Sequence, residues 1–347
     1  MLFSETIGND VLKKSLIQMV QSNRLSHAIL FCEENGGGAF ALASALAQYV
    51  NCRDRKETDS CGVCSSCHKY GKLIHPDLHF AFPVSTGKDL SDSEKKAPIS
   101  DYFLRQFREL AVSNPYFTEQ DLYEAIGIEA KNSNISVNES KRIFDKLSLR
   151  AAEGTYKVMI IFLPEKMNAD AANKLLKIIE EPPVRTLFLL ISHNPERILK
   201  TIRSRCQRID LKPLSTQERI SAGAVQDNPL MREKITAILD ASLRRSIADI
   251  FPLWEDLAEA GREQQKEFCL YAESFLRKIF LASCGMETLA EPVEEERALI
   301  NEFAGRIRKD SYEMVLKAFD KVLSDIGSNV NSKLVFCDLC NYLLLTL

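Results

Sequence analysis

This chain lacks a strong charge imbalance, a long apolar run and any internal repeat, and each lack removes a class of function. The formal net charge at pH 7 is −3 over 347 residues. Composition therefore offers no basic footprint for tight nucleic-acid binding by this chain alone. No uninterrupted apolar stretch reaches the roughly 20 residues that span a bilayer, and Met1 to Lys14 hold no apolar signal core. Neither a membrane nor a secretory address is expected, which leaves the cytoplasm. No period recurs along the chain, so a repeat array is set aside.

What is present is ordinary in bulk and unusual in detail. Hydrophobic residues make up 45% and charged residues 27%, as in soluble globular proteins. The length exceeds one hydrophobic core and predicts two or three domains. In the first half, short apolar runs alternate with helical patterns, the signature of an α/β domain with a parallel sheet. Strands are expected at Ala28–Phe31, Leu78–Phe82, Val158–Leu163, Thr186–Ile191 and Gln207–Leu211. A helix is expected over Asn168–Ile179, with Ala172, Leu175, Leu176 and Ile179 on one face and Pro182 and Pro183 as its stop. Ser136 and Glu139 have the spacing of a capping box, which predicts a helix running to Leu147.

Residues 84–134 interrupt this rhythm as an insertion. Its start, Ser85–Lys96, is polar and expected to be mobile, and Tyr102, Leu104, Phe107 and Leu110 suggest a short amphipathic helix. After Pro213 the strand signals cease. Phe268, Tyr271, Phe275 and Ile279 follow helical spacing, as do Val315, Phe319, Val322 and Ile326. Leu334–Leu347 is mostly apolar and predicts a helix packed in a bundle.

Four of the ten cysteines, Cys52, Cys61, Cys64 and Cys67, fall in one short polar stretch as C-x8-C-x2-C-x2-C. Four thiolates close a tetrahedral zinc site, with no open position for catalysis, so a structural Zn2+ is expected. Gly62 helps the backbone fold around the metal, and His68 and His75 are surplus to the set. Most of the other cysteines sit inside apolar patterns and read as small core residues.

Strand Ala28–Cys32 runs through Glu33, Glu34, Asn35, Gly36, Gly37, Gly38, Ala39 and Phe40 into a helix over Ala41–Val50, the layout of a phosphate loop. The pattern G-x-x-x-x-G-K-[ST] requires Gly where Glu33 stands, Lys where Ala39 stands and Ser or Thr where Phe40 stands; only Gly38 fits. Glu33 and Glu34 would repel phosphate, and Phe40 cannot ligate magnesium. No ATP is expected at this site. Lys157–Leu163 has the form of a Walker B strand, yet Phe162 and Leu163 stand where an ATPase has Asp-Glu. Glu165, two residues on, reads as a surface or helix-entry carboxylate.

Several segments together resemble the clamp-loader ATPase family of bacterial DNA polymerase III. They are His27–Phe31, the four cysteines, His75-Pro76-Asp77, Asn173–Pro183, Asn194-Pro195 and Thr201–Cys206, and they cover Ile7 to about Pro213. The degenerate Walker segments resemble the delta-prime branch rather than its ATP-hydrolysing gamma/tau branch. The resemblance implies an AAA+-like domain with a zinc insertion over residues 1–212, a curtailed lid over 213–225 and an all-α collar for oligomerisation over 226–347. A small helical lid normally follows Lys212-Pro213-Leu214-Ser215, and here the chain passes through it quickly. The resemblance further implies gamma/tau-type and delta-type partners in a hetero-pentameric ring that loads the sliding clamp on primed DNA. Arg205, with Ser204 and Cys206, matches the family's arginine finger, which acts in trans on a neighbour's ATP. Two other readings stay open: a gamma/tau-type ATPase, which requires Lys at position 39, and a stand-alone zinc-containing DNA-binding adaptor, which requires a basic patch.

Overall fold

Five apolar runs bounded by polar turns pair side by side in a computed structural model. It describes the chain apart from residues 34–35, 87–89, 92–94, 96, 129–132, 149, 215–217, 219–227, 291 and 329. In chain order the first region holds α1 (Asp10–Gln21), β1 (Ala28–Cys32), α2 (Ala39–Asn51), α3 (Ser65–Gly71), β2 (Leu78–Ala81), α4 (Leu104–Ser113) and α5 (Glu119–Ala125). There follow α6 (Val137–Ser148), β3 (Lys157–Phe162), α7 (Ala169–Glu180), β4 (Thr186–Ser192), α8 (Lys200–Arg203) and β5 (Gln207–Asp210). The sheet is parallel throughout, in the order β2-β3-β4-β1-β5. Phe80 pairs with Ile160, Ile160 with Leu189, and Leu30 with both Leu190 and Arg208.

The pleat sends alternate residues to opposite faces. Phe31, Ile160, Phe162 and Leu189 join α1, α2 and the insertion in one core, while Leu30, Ile161 and Leu190 join α6 and α7 in another. Burial on both faces explains why these strands read as unbroken apolar runs. At the β5 edge, Arg208 and Asp210 form an ion pair of 2.8 Å, and such charge discourages further strand pairing.

Several local expectations change. Phe82, Leu163 and Leu211 lie beyond their strands, while β1 ends at Cys32, where the strand leading into the Gly-rich turn is expected to end. Leu163 turns left-handed, with φ 56, and ends β3. The capping box does not form: Glu139 is buried and accepts from Ser100 N at 2.7 Å and Ser100 Oγ at 2.6 Å, while Ser136 Oγ has no partner among the described residues. A tertiary contact that satisfies a buried carboxylate outweighs a local one at the surface. In α7, Ile178 is buried and Leu176 only partly so. The insertion packs Phe103, Phe107 and Ala111 inward, whereas Tyr102 is 39% exposed. Of the expected mobile stretch, 87–89, 92–94 and 96 lie outside the described residues.

The chain divides into Met1–Val225 and Gln226–Leu347. Of the expected curtailed lid, 215–217 and 219–225 lie outside the described residues. The second unit is helical: α9 (Pro229–Leu243), α10 (Ile247–Glu259), α11 (Arg262–Ser283), α12 (Glu287–Ala290), α13 (Glu294–Arg306), α14 (Tyr312–Gly327) and α15 (Ser332–Thr346). Its core holds Phe268, Phe275 and Ile279 of α11, Val315, Phe319 and Val322 of α14, and Phe336, Leu339 and Leu343 of α15. Tyr271 is half-buried because its hydroxyl donates to Glu296 at 2.8 Å, alongside a 2.6 Å pair from Lys278 to the same buried carboxylate. Among the described residues no helix is long and apolar enough to cross a membrane.

Candidate functional site

The features singled out from sequence gather largely at the two ends of α2. At its C-terminal end Cys52 follows the helix, Gly62 turns the loop with φ 74, and Cys64 caps α3. The Sγ atoms of Cys52, Cys61, Cys64 and Cys67 lie within 4.8 Å of one another. Cys52 is 3.5 Å from Cys61, and Cys61 is 3.9 Å from Cys67. Four thiolates at the usual Zn–S distance of about 2.3 Å stand roughly 3.8 Å apart, so this set can hold a metal ion.

Backbone N–H groups already point at the sulfurs: Cys61 N at Cys52, Cys64 N at Cys61 and Cys67 N at Cys64, at 3.3, 3.4 and 3.5 Å. Burial pushes the Cys52 and Cys67 thiols up. Burial also raises Cys64, but the N–H groups of Cys67 and Arg53 and the neighbouring sulfurs outweigh it and bring it down to about 6. The loop is pinned from outside, since Asp59 accepts from Phe3 N and Ser4 N at 3.0 and 2.9 Å and Ser66 Oγ donates to Asn51 O at 2.8 Å. His68 is exposed, and His75 is buried, stacked 4.5 Å from Tyr70; neither joins the four sulfurs. In the same His-Pro-Asp segment, Asp77 accepts from Ala152, Glu153 and Gly154 N at 2.6, 2.8 and 2.6 Å. Burial opposes its ionisation, but these three donors hold its carboxyl below the usual range.

At its N-terminal end α2 meets its own chain. The N-terminus of a helix presents unpaired N–H groups and partial positive charge, the place where a phosphate loop holds its anion. Here Glu33 Oε2 accepts from Ala39 N at 2.7 Å, and His193 Nε2 lies 3.5 Å from Glu33 Oε1. Glu33, expected to repel phosphate, thus occupies the anion's place.

Gly38 begins the helix with φ 91, and a Cβ there would lie 2.8 Å from Tyr116 Cε1. Tyr116 in turn accepts from Ile7 N at 2.7 Å. Phe40 is buried, with ring centroids 5.0 Å from Phe117 and 5.7 Å from Phe107. Phe162, at the end of β3, packs 5.0 Å from Phe117. Aromatic side chains from the insertion therefore fill the cleft between the Gly-rich turn and the β3 end. Glu165 lies in the first turn of a short 3-10 helix, Pro164–Lys166, as a helix-entry carboxylate would, and is half-buried; its Oε1 accepts from His193 N and Asn194 N at 2.9 and 3.1 Å and ties down the turn after β4.

Arg205 lies apart from both ends, between α8 and β5. Its Nη2 pairs with Glu180 Oε1 at 2.6 Å and its Nη1 donates to Thr201 O at 3.0 Å. Ser204 Oγ donates to Thr201 O at 3.1 Å, and Cys206 is buried, its thiol pushed up to about 12 by desolvation. Tyr116 and Phe117 carry no sequence signal of their own, being one aromatic pair among many; Glu180 lies in the Asn173–Pro183 segment that carries the resemblance, but nothing in that segment names its partner.

Comparison with known proteins gives the same family from another direction. A family model described as DNA polymerase III, delta subunit matches residues 8–215. The delta' subunit of DNA polymerase III from Bacillus subtilis (strain 168) is 27% identical over 334 residues, 94% of this chain and 80% of that one. The delta' subunit of Yersinia pestis is 30% identical over 193 residues, 56% of this chain and 44% of that one. The tau subunit of B. subtilis is 27% identical over 215 residues, 62% of this chain but only 30% of that one. The chain thus spans less than half the length of the latter two.

Proposed function

The chain belongs to the DNA polymerase III, delta subunit family of clamp-loader proteins, and on that footing we propose that it is a delta-prime-type subunit without ATPase activity of its own. In this reading residues 1–212 are the AAA+-like domain, 213–225 a curtailed lid and 226–347 the collar. The chain joins gamma/tau-type and delta-type subunits in a hetero-pentameric ring that loads the sliding clamp on primed DNA in the cytoplasm. Arg205 is its contribution to chemistry, a guanidinium presented to the triphosphate of a neighbouring subunit.

The observation that carries the reading is the filled end of α2. With Ala39 N–H donated to Glu33 at 2.7 Å, the first amide of the helix is spent. No lysine stands at position 39 to neutralise phosphate, and Phe40 and Phe162 leave magnesium without oxygen ligands. A tau-type relative also matches 62% of this chain, and a gamma/tau-type reading would require those groups. Arg203, the other arginine of the segment, is folded back on Glu196 at 2.7 Å with its side chain 20% exposed, against 40% for Arg205. Accessibility therefore favours Arg205 as the finger.

The metal we assign to the four cysteines is zinc, in a structural role. When bound it supplies a cation that holds four thiolates together; Cys52 and Cys67 anchor it to the ends of α2 and α3, and Cys61 and Cys64 close the loop. Calorimetric titration of the isolated chain with Mg-ATP tests the central point. No saturable heat and no turnover are expected, and micromolar binding with hydrolysis would overturn the reading.

A further inference from the structure

We infer that Glu180 is a positioning residue for Arg205, holding the guanidinium ready for the phosphate of a neighbouring subunit. The inference rests on the finger role given to Arg205 above and adds to it the group that aims the finger. Arg205 is held by two acceptors from different elements, the Glu180 carboxylate at the last residue of α7 and the Thr201 carbonyl in α8. One anchor would leave a planar group free to swivel; two fix both its plane and its direction.

A free arginine side chain has many rotamers, and a finger that is not held must surrender that freedom when it docks on phosphate. Guanidinium has five N–H groups. Two are committed to Glu180 and Thr201 and a third lies at the long distance of 3.5 Å from Ser204 Oγ, which leaves the others available to a ligand.

The placement of Glu180 follows from the chain. Asn168 starts α7 by accepting from Ala171 N at 2.8 Å, and Pro182 and Pro183 allow no further turn, so Glu180 falls on the last helical residue. Its side chain is 38% exposed. Glu181, the next carboxylate, lines a separate groove with Lys141 and Lys177. The neighbouring arginines have their own partner: Arg203 and Arg208 both reach Glu196, at 2.7 and 3.7 Å. Glu180 is the carboxylate paired with Arg205. An exposed pair of this kind adds little to stability, so its effect is to be sought in the rate of the neighbour's reaction.

The test uses the complex reconstituted with its ATP-hydrolysing partner subunits, with DNA- and clamp-stimulated ATPase as the readout. Assembly of every variant is checked by gel filtration. Arg205→Ala should lower kcat and leave the KM for ATP unchanged, because a finger acts in the transition state. Glu180→Ala should lower kcat about threefold, again without changing KM. Glu180→Gln, which keeps an acceptor at the same reach, should recover most of that loss.

In the Arg205→Ala background Glu180→Ala should add nothing, since residues that act through one another are not additive. A normal or raised kcat for Glu180→Ala, beside a lowered one for Arg205→Ala, would sink the role of Glu180 and spare the finger. Equal kcat for Arg205→Ala and wild type would remove the finger itself. Additive losses in the double variant would show that Glu180 acts elsewhere than through Arg205.

Discussion

At its first residue α2 donates the Ala39 N–H to a carboxylate of its own chain, 2.7 Å away, whereas just past its last residue it delivers Cys52 to a cluster of four thiols. Both ends carry the layout of an ion-binding site, glycines in one case and cysteines in the other. The difference lies in whether the polar groups are already satisfied. Glu33 and the Ala39 amide complete each other, and the aromatic rings around Phe40 exclude anything larger. The four sulfurs cannot complete one another in the same way, because thiolates repel and thiols are weak donors. A motif marks where a ligand could sit; the remaining unsatisfied groups decide whether one does.

The largest effect that could break this contrast is at the cysteine end. The protein should carry one zinc per chain by elemental analysis, and Cys64→Ser should lose it. Structural zinc is worth about 10–16 kcal/mol in small peptides; here the sheet core holds independently, so a loss of several kcal/mol confined to the first unit is expected. Calorimetric scans should show the transition of the Gln226–Leu347 unit unmoved, as that unit has its own core. A well-folded protein free of metal would remove the difference between the two ends.

A smaller effect is expected at the filled end. Phe40→Ala should cost about 3–5 kcal/mol, the usual range for emptying a buried aromatic site, and denaturant titration would measure it. The double change Ala39→Lys with Phe40→Thr should also be less stable than wild type and still show no heat with Mg-ATP, because Glu33 and Tyr116 remain. Acquired micromolar affinity would mean that the end is merely latent, and the contrast with the cysteines would collapse.

The smallest effect uses acid. Burial pushes His79 down to about 4 and also lowers His75, so folding favours the neutral form of both. A folded pKa below the unfolded one gives stability that is complete above the ordinary value of about 6.5 and is lost as pH falls toward the folded value. For His79 the window is therefore pH 6.5 to about 4, with an expected loss of about 1–2 kcal/mol. His79→Gln should flatten the slope of stability with pH in that window. Because His75 stacks on Tyr70 of α3, hydrogen exchange in mild acid should open the Cys67 amide before the Ala39 amide. Simultaneous opening would make the two ends one cooperative unit.

The sequence made the sheet legible because its strands are buried on both faces and appear as plain apolar runs. It made α7 legible because Asn168 and the two prolines mark its ends. The helical C-terminal unit followed from the spacing of Phe268, Phe275, Val315 and Phe319. What stayed hidden depends on contacts between distant residues. Glu139 has the spacing of a capping box but turns inward to Ser100. Glu33 was legible as hostile to phosphate, yet its use as an acceptor for Ala39 N–H requires the folded turn. Tyr116 and Phe117 lie in an insertion whose sequence gives no hint that it closes over Gly38. The pairing of Glu180 with Arg205 joins two segments whose separation in the chain hides their contact.

The tight approach of Tyr116 to Gly38 bears on how such a chain can change over generations. Building a phosphate-loop ATP site of the usual kind here would require a lysine at 39, a hydroxyl at 40 and carboxylates at 162 and 163, with Glu33, Tyr116 and Phe117 cleared away. Taken alone, Phe40→Thr opens a hole among Phe107, Phe117 and Phe80, and Phe162→Asp buries a charge beside Phe117, each a loss with no ligand to offset it. Removing Tyr116 first deprives Ile7 of its acceptor. Each such path begins downhill in stability before it could rise in function, so the filled cleft acts as an evolutionary ratchet.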